Sequence, residues 1–300
     1  MQETLKPRKL LFIVNPKAGK GGSERIIDQI NKQVTANILF TIEIWKEKEH
    51  FEQISQKLMS GEYTDAVAVG GDGTVNQVAK MILNKNIALG ILPAGSGNGL
   101  ARSLGLSMNH AKALQQIIEG KNAWIDSGLA NGTPFFCTSG LGFDAHIGNL
   151  FATSAERGLR NYIRITINEL FKYRAKDYIL EFNNLKFAKK AFLITVANAG
   201  QYGNDFYIAP KARMQDGLFH VVIIKPFSFL KAFEIFFNIL LRRAHKSSSI
   251  ETFLTQKIKI LQEDKGCIHF DGEPAFEKQE VIFENKRESL KVIVGEKFAG

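Results

Sequence analysis

Five residues, Gly70-Gly71-Asp72-Gly73-Thr74, hold the densest chemistry in the chain. They follow a short apolar run, Ala66-Val67-Ala68-Val69, and precede a helical pattern that begins at Val75. A strand–turn–helix passage of this kind leaves backbone N–H groups unpaired at a helix N-terminus, where the helix dipole also favours negative charge. Glycines there let the backbone approach phosphate oxygens without a Cβ clash. Asp72 adds a carboxylate where a phosphate would sit, which suits a metal ion or the removal of a proton. Two more glycine turns, Asn15-Pro-Lys-Ala-Gly-Lys-Gly-Gly22 and Pro93-Ala-Gly-Ser-Gly-Asn-Gly99, also follow strand-like runs. One such turn alone reads as a tight turn. Three of them at the carboxyl ends of strands would cradle a nucleotide polyphosphate. Lys20 supplies a point charge, and Asn15 and Asn98 supply amide groups.

The elements that must position these turns alternate. Strands are expected at Lys9–Val14, Ile38–Ile44, Ala66–Val69 and Ile87–Leu92. Helices are expected from Ser23, which reads as a cap, over Phe51–Met59, from Val75, and over Ser107–Ile118, ended by Gly120. This rhythm predicts an α/β domain, a parallel-type sheet with helices on both faces, over residues 1–127. Beyond it the pattern changes. Asn131-Gly132 between two apolar runs is a hairpin signal. Several short strands follow, with helical patches near Glu156–Lys172 and Phe229–His245. Residues 128–285 therefore read as an antiparallel β domain; whether 286–300 rejoins the first domain is open at this level.

Composition narrows the partners. Among 300 residues, 39 Lys and Arg against 30 Asp and Glu leave a net charge of +9. That balance favours anionic partners such as nucleic acid, acidic membrane or phosphorylated ligands. No helix-turn-helix, RNA-binding or zinc pattern appears, so nucleic acid is not expected. Cys137 and Cys267 lack metal spacing and read as buried, reduced thiols of a cytoplasmic protein. The apolar run Leu10–Val14 is too short for a signal peptide, and no stretch reaches the length of a bilayer span. The turns match neither a Walker loop nor Gly-x-Gly-x-x-Gly, so phosphoryl transfer fits better than dinucleotide binding.

Asn15-Pro-Lys-Ala-Gly-Lys, Gly70-Gly-Asp-Gly-Thr and Pro93-Ala-Gly-Ser-Gly-Asn resemble the catalytic domain of the diacylglycerol kinase/sphingosine kinase family. Asp271-Gly272-Glu273 resembles that family's C-terminal motif; Gly142-Phe143-Asp144-Ala145 and Asp216-Gly217-Leu218 match more loosely. The resemblance implies a nucleotide-binding α/β domain, a β-sandwich domain that takes the lipid, and an active cleft between them. It implies ATP, Mg²⁺ and transfer of the γ-phosphate to a hydroxyl of a membrane lipid. By position, Asn15, Lys20, Gly71, Gly73, Thr74, Gly95, Ser96 and Asn98 would contact nucleotide. Asp72, Asp271 and Glu273 would be the catalytic acids, one of Asp72 and Asp271 taking the proton and the other holding Mg²⁺ with Glu273. Arg102 and Asp126 would support the polar network. Asp216, with the carbonyls of Arg213 and Leu218, resembles a structural magnesium site. Bacterial diacylglycerol kinases usually carry Thr-x-Asn-Asp where this chain has Ser96-Gly97-Asn98-Gly99. The missing acid leans the resemblance toward sphingosine and ceramide kinases.

Bland readings stand beside these. Asp271-Gly272 and Asp216-Gly217 also suit plain turns, and Asp144 suits either a lipid head-group contact or a cap. All six histidines read as structural or solvated. The apolar face of Pro226–Lys246, ending in Arg242, Arg243 and Lys246, is either a packed helix or an interfacial one against anionic lipid. Packing is favoured, because apolar stripes are usually core. The same choice holds for Leu159–Tyr173 with its arginines. Alternative functions are an NAD kinase-like phosphotransferase and a catalytically silent lipid- or nucleotide-binding regulator. A homodimer is left open, and a cytoplasmic enzyme peripherally associated with membrane is the expected setting.

Overall fold

The computed structural model describes residues 7–19, 22–34, 38–45, 48–156, 158–204, 206–263, 265–276, 279–298 and 300. The chain divides into two compact units, Met1–Ile125 with Glu288–Ala299, and Asp126–Arg287 with Gly300.

In the first unit the chain runs β1 (Lys9–Val14), α1 (Glu24–Gln33), β2 (Leu39–Ile44), α2 (Lys48–Met59), β3 (Asp65–Gly70), α3 (Asp72–Ile82), β4 (Ala88–Pro93), α4 (Gly99–Ser103) and α5 (His110–Glu119). The strands lie in the order β2-β1-β3-β4, all parallel. β3 and β4 are buried along their whole length, as expected for strands covered on both faces. Leu10, Phe12 and Val14 pack with Ile26 and Ile30 of α1 and with Leu114 and Ile117 of α5. Strand alternation sends Leu11 and Ile13, equally buried, to the opposite face. Arg8 closes the lower edge, pairing with Asp65 at 2.7 Å and donating to the carbonyls of Ile117 and Ile118 at the end of α5.

Helix ends show where local signals held. Gly120 ends α5 in the left-handed region, at φ 66°, as its type predicts. Ser23 does not cap α1 with its side chain. The side-chain cap in this region is Asn109, which accepts from the Lys112 amide at 3.2 Å.

The second unit opens in β5 (Asn122–Ala130), which crosses the boundary. It continues through β6 (Thr133–Phe135), β7 (Thr138–Gly142), α6 (Phe143–Thr153), α7 (Leu159–Leu170), β8 (Lys176–Phe182), β9 (Leu185–Ala191), β10 (Leu193–Ala197), β11 (Phe219–Ile224), α8 (Phe229–Leu240), β12 (Ile250–Thr255), β13 (Lys257–Gln262), β14 (Cys267–Phe270), β15 (Glu273–Phe276) and β16 (Glu280–Ile293). Two antiparallel sheets face each other. One has the order β12-β11-β10-β7-β14-β15; the other runs β16-β13-β8-β9. Tyr178, Leu180, Ile258, Ile260 and Phe283 from the second meet Leu141, Ile194, Val221 and Phe270 from the first in one core. This is the expected β-sandwich.

Asn131-Gly132 forms the β5–β6 turn with φ 47° and 84°, the left-handed pair of a two-residue hairpin. β16 is one strand of 14 residues where sequence periodicity shows two. Its first half pairs with β13, and Val292 near its end pairs in parallel with Leu89 of β4 in the first unit's sheet.

Candidate active site

β3 and β4 pair in parallel so that Gly70 stands beside Pro93. Both glycine turns therefore leave the sheet at the same carboxyl edge, in register. The backbones then touch. A Cβ on Gly95 would fall 2.5 Å from the Gly71 Cα, and one on Gly97 would fall 2.6 Å from Asp72 Oδ2. Real Cβ atoms do not occupy such distances, so close approach demands glycine at both positions.

Asp72 joins the two turns. It is the first helical residue of α3, which starts three residues before the apolar pattern suggests. Its Oδ2 accepts from the Asn98 amide at 2.9 Å and its Oδ1 from the Gly99 amide at 2.7 Å. The carboxylate thus satisfies orphan donors of α4 rather than those of its own helix. No side chain caps the α3 N-terminus at Gly71. Each carboxylate oxygen retains a lone pair beyond the one used.

Asn98 is buried and left-handed, with φ 53°, and its amide accepts from Gly95 N and donates to Gly95 O. It shapes the turn from inside instead of projecting toward a ligand. Arg102 Nε braces the same turn through the Gly97 carbonyl at 3.2 Å. Asn15 Nδ2 donates to Thr74 Oγ1 at 3.0 Å, tying the β1 turn to α3. Ser96 is exposed at the tip. Gly71 and Gly73 are half-buried on the first turn of α3. Lys20 lies outside the described residues. Asn15, Asp72, Thr74, Gly95, Asn98 and Arg102 are thereby linked into one constellation.

Gly95→Ala forces the two turns apart, because the clash is backbone against backbone. We expect about 1–3 kcal/mol of lost stability, in the range of small-to-large changes at packed sites. A nucleotide titration followed by thermal shift should show affinity falling with it; unchanged affinity would separate the turns from ligand binding.

The second unit places its acids differently. Asp271-Gly272 is the two-residue turn of the β14–β15 hairpin, with φ 52° and 87°. The Asp271 carboxylate accepts from three amides: Phe136 at 2.8 Å, Cys137 at 2.7 Å and Thr138 at 3.0 Å. Desolvation holds this carboxyl above the usual carboxylate range, while the three amides and His269 pull it down. Glu273, the first residue of β15, is exposed.

Asp144, in the first turn of α6, lies in a polar cluster that spacing does not reveal. Its Oδ2 accepts from Thr195 Oγ1 (3.1 Å), Tyr202 Oη (3.0 Å) and His269 Nε2 (3.1 Å). Gly272 N donates to His269 Nδ1 at 3.3 Å, which leaves the ring proton on Nε2 for Asp144. His269 is thus a structural residue with a definite task, linking α6 to the acidic hairpin. Cys267 is half-buried rather than buried, and burial beside Asp144 pushes its thiol up to about 11.

Asp216, the expected magnesium ligand, lies in a turn held by several contacts. Asp216 Oδ1 closes a turn on the Leu218 amide at 2.9 Å, and the Arg287 guanidinium donates to the Asp216 carbonyl at 2.7 Å. Arg213 is exposed. Asp126, buried, accepts from Gly217 N at 2.7 Å, so it braces the same turn. The group is a tied turn, and the carbonyl that Arg287 holds is Asp216's own, not that of Arg213 or Leu218. Among the described residues no cluster of three or more His, Cys, Asp or Glu could hold a metal. Magnesium, which keeps most of its water, does not need one, and Asp72 fits it as a single carboxylate.

Two glycine turns thus meet at the carboxyl edge of a parallel sheet, with a β-sandwich following in the chain. Residues 9–130 match the family of the diacylglycerol kinase catalytic domain, and residues 138–294 match the YegS C-terminal NAD kinase beta sandwich-like domain. The chain belongs to this family of diacylglycerol kinase-type lipid kinases. It is 26% identical over 270 residues to a Klebsiella pneumoniae protein named "Probable lipid kinase YegS-like", covering 88% of this chain and 89% of that one. It is 27% identical over 284 residues to the uncharacterized protein sll0036 of Synechocystis sp., spanning 87% of this chain but only 65% of that relative's length. A diacylglycerol kinase structure from Bacillus anthracis shares the fold, with a TM-score of 0.74, 20% identity, and coverage of 98% and 99% of the two chains. A second Bacillus anthracis structure gives a TM-score of 0.81 at 22% identity, over 97% and 98%.

Proposed function

We propose that the protein transfers the γ-phosphoryl group of ATP to a hydroxyl of a membrane lipid. The observation that carries this reading is the Asp72 bridge, which locks two glycine turns side by side at the strand ends, beside an α3 N-terminus that no side chain caps. The supporting context is family membership and a relative named as a lipid kinase.

Residue roles follow from the contacts. The amides of Gly71, Gly73 and Thr74 hold phosphate oxygens, and Asn98 and Arg102 keep the neighbouring turn in shape. Asp72 would help to hold magnesium and takes the proton of the acceptor hydroxyl. Bound magnesium supplies neutralisation of the β- and γ-phosphate charge. An ordinary carboxylate cannot deprotonate an alcohol in the ground state, but in a loose transition state the proton leaves late, so a positioned Asp suffices. Asp271, spent on three amides, holds the hairpin turn from which Glu273 projects. Glu273, exposed beside that turn, is the second unit's remaining candidate acid. The enzyme works in the cytoplasm, at the surface of an anionic membrane.

The deciding assay supplies labelled ATP with diacylglycerol, sphingoid base, ceramide, phosphatidylglycerol and NAD, each solubilised in detergent where needed. Label is expected in one lipid product. A product only with NAD would replace the lipid reading with an NAD kinase-like one, and no product with any acceptor would leave a silent regulator.

A further inference from the structure

Neighbouring antiparallel strands are usually joined by a short turn. β11 and β12 are adjacent, with Ile224 opposite Ile250, yet residues 225–249 intervene and include α8. Only one stripe of that helix is buried. Ile235 and Ile239 are 5% and 4% exposed and pack on the sandwich, whereas Leu230 is 78% exposed. Phe229, Phe233, Phe236, Phe237, Leu240 and Leu241 are exposed with it. The preference for a packed helix is therefore half right: two isoleucines pack, and the aromatic majority does not.

α7 continues the surface. Phe171, just past its end, meets Phe229 with ring centroids 5.0 Å apart. Ile163 and Ile167 are exposed on the same helix. Eleven of the seventeen large apolar side chains left exposed among the described residues lie on these two segments. A soluble surface seldom carries so concentrated an apolar area without a partner.

The rim has one dominant charge. Arg242, Arg243 and Lys246 follow α8, and all are exposed. Beside Phe171, a hollow of about 410 Å³ is lined by His146, Lys172, Arg174 and Lys176, with Glu169 tied to Lys172 and His146. Phenylalanines inside a basic border suit acyl chains below anionic head groups. A second copy of the chain fits poorly, since a self-complementary contact would press these basic borders together.

We infer that α8, with the exposed side of α7, is the element that docks the protein on an anionic bilayer, its phenylalanines entering the acyl boundary. This deepens the lipid kinase reading and rests on it for the identity of the substrate, though the docking itself is tested without catalysis. The full-length protein is sedimented with sucrose-loaded phosphatidylcholine vesicles, with and without phosphatidylglycerol, in the absence of ATP and of any acceptor lipid. Wild type is expected to bind the anionic vesicles. Phe233→Glu with Phe237→Glu is expected to weaken that binding at least about tenfold, since two apolar anchors are removed and the buried Ile235 and Ile239 stay in place. Arg242→Glu with Arg243→Glu is expected to remove the preference for phosphatidylglycerol.

Thermal melts check that the variants fold; should the double Phe variant melt early, Leu230→Glu, at the most exposed position, takes its place. Vesicle binding unchanged in a folded Phe or Leu230 variant would overturn the inference. So would a wild type that ignores anionic vesicles, or one that dimerises through this face and is made monomeric by the Phe variant without any change on vesicles. Transfer to detergent-solubilised lipid should survive in the Phe variant. Its absence in wild type, with vesicle binding intact, would count against the kinase reading and not against the docking surface.

Discussion

Asp72→Asn will lower kcat at least about a hundredfold while the sandwich remains folded, the lower end of what a general base contributes. The change removes one charge and reverses one hydrogen-bonding end of the side chain. Asp72 accepts from two amides, Asn98 N and Gly99 N. Asparagine has one acceptor, so its NH₂ group must face an amide that also donates. The Pro93–Gly99 turn then loses one of its two ties to α3, and the phosphate cradle loosens with the chemistry. Two measurements separate these effects. Single-turnover transfer of labelled phosphate reports the chemical step, and nucleotide affinity by thermal shift reports the cradle. If turnover stays at the wild-type level, Asp72 is a brace only, and the proton acceptor lies elsewhere.

Asp271→Ala is expected to produce the largest loss of stability. It strands three amides, at Phe136, Cys137 and Thr138, that now share one carboxylate. Leaving a buried donor unpaired costs roughly 1–3 kcal/mol, and strand-edge relaxation recovers part of that, so about 3 kcal/mol in total is expected. The alanine must also hold a left-handed φ of 52°, which asparagine tolerates better. Asp271→Asn should therefore cost distinctly less than alanine. Urea unfolding checks both.

The pH dependence gives a second handle. The folded carboxyl binds its proton more tightly than the unfolded value of 3.8, so its contribution is full below that value and is lost as pH rises through the folded one. The stability gap between wild type and Asp271→Asn should narrow as pH rises out of the acidic range. A gap that widens would mean that the amides outweigh desolvation.

Some misreadings of the sequence have clear physical causes. α6 carries Phe143, Ala145, Ile147 and Gly148 inward but begins in a motif with glycines, so no clean stripe announces it. β9 carries three lysines and little buried surface at a sheet edge, and it is entered through Asn183-Asn184, both left-handed, a weaker signal than Asn-Gly. What surrounds Asp216 was not legible either: Arg287, 71 residues away in the chain, donates to its carbonyl.

Local chemistry in the chain determined the parallel strand–turn–helix units, the antiparallel second half, the hairpin at Asn131-Gly132 and the glycine turns after the strands, because propensity, periodicity and turn geometry act within a few residues. Tertiary structure alone decided what each polar group touches: Asp72 on Asn98 and Gly99, His269 on Asp144 across 125 residues, Asp271 on the 136–138 amides. It also decided which apolar stripe of α8 is core and which faces outward. Those outcomes depend on which surfaces the sheets bring together, and a periodic pattern shows that a face is apolar without showing what, if anything, lies against it.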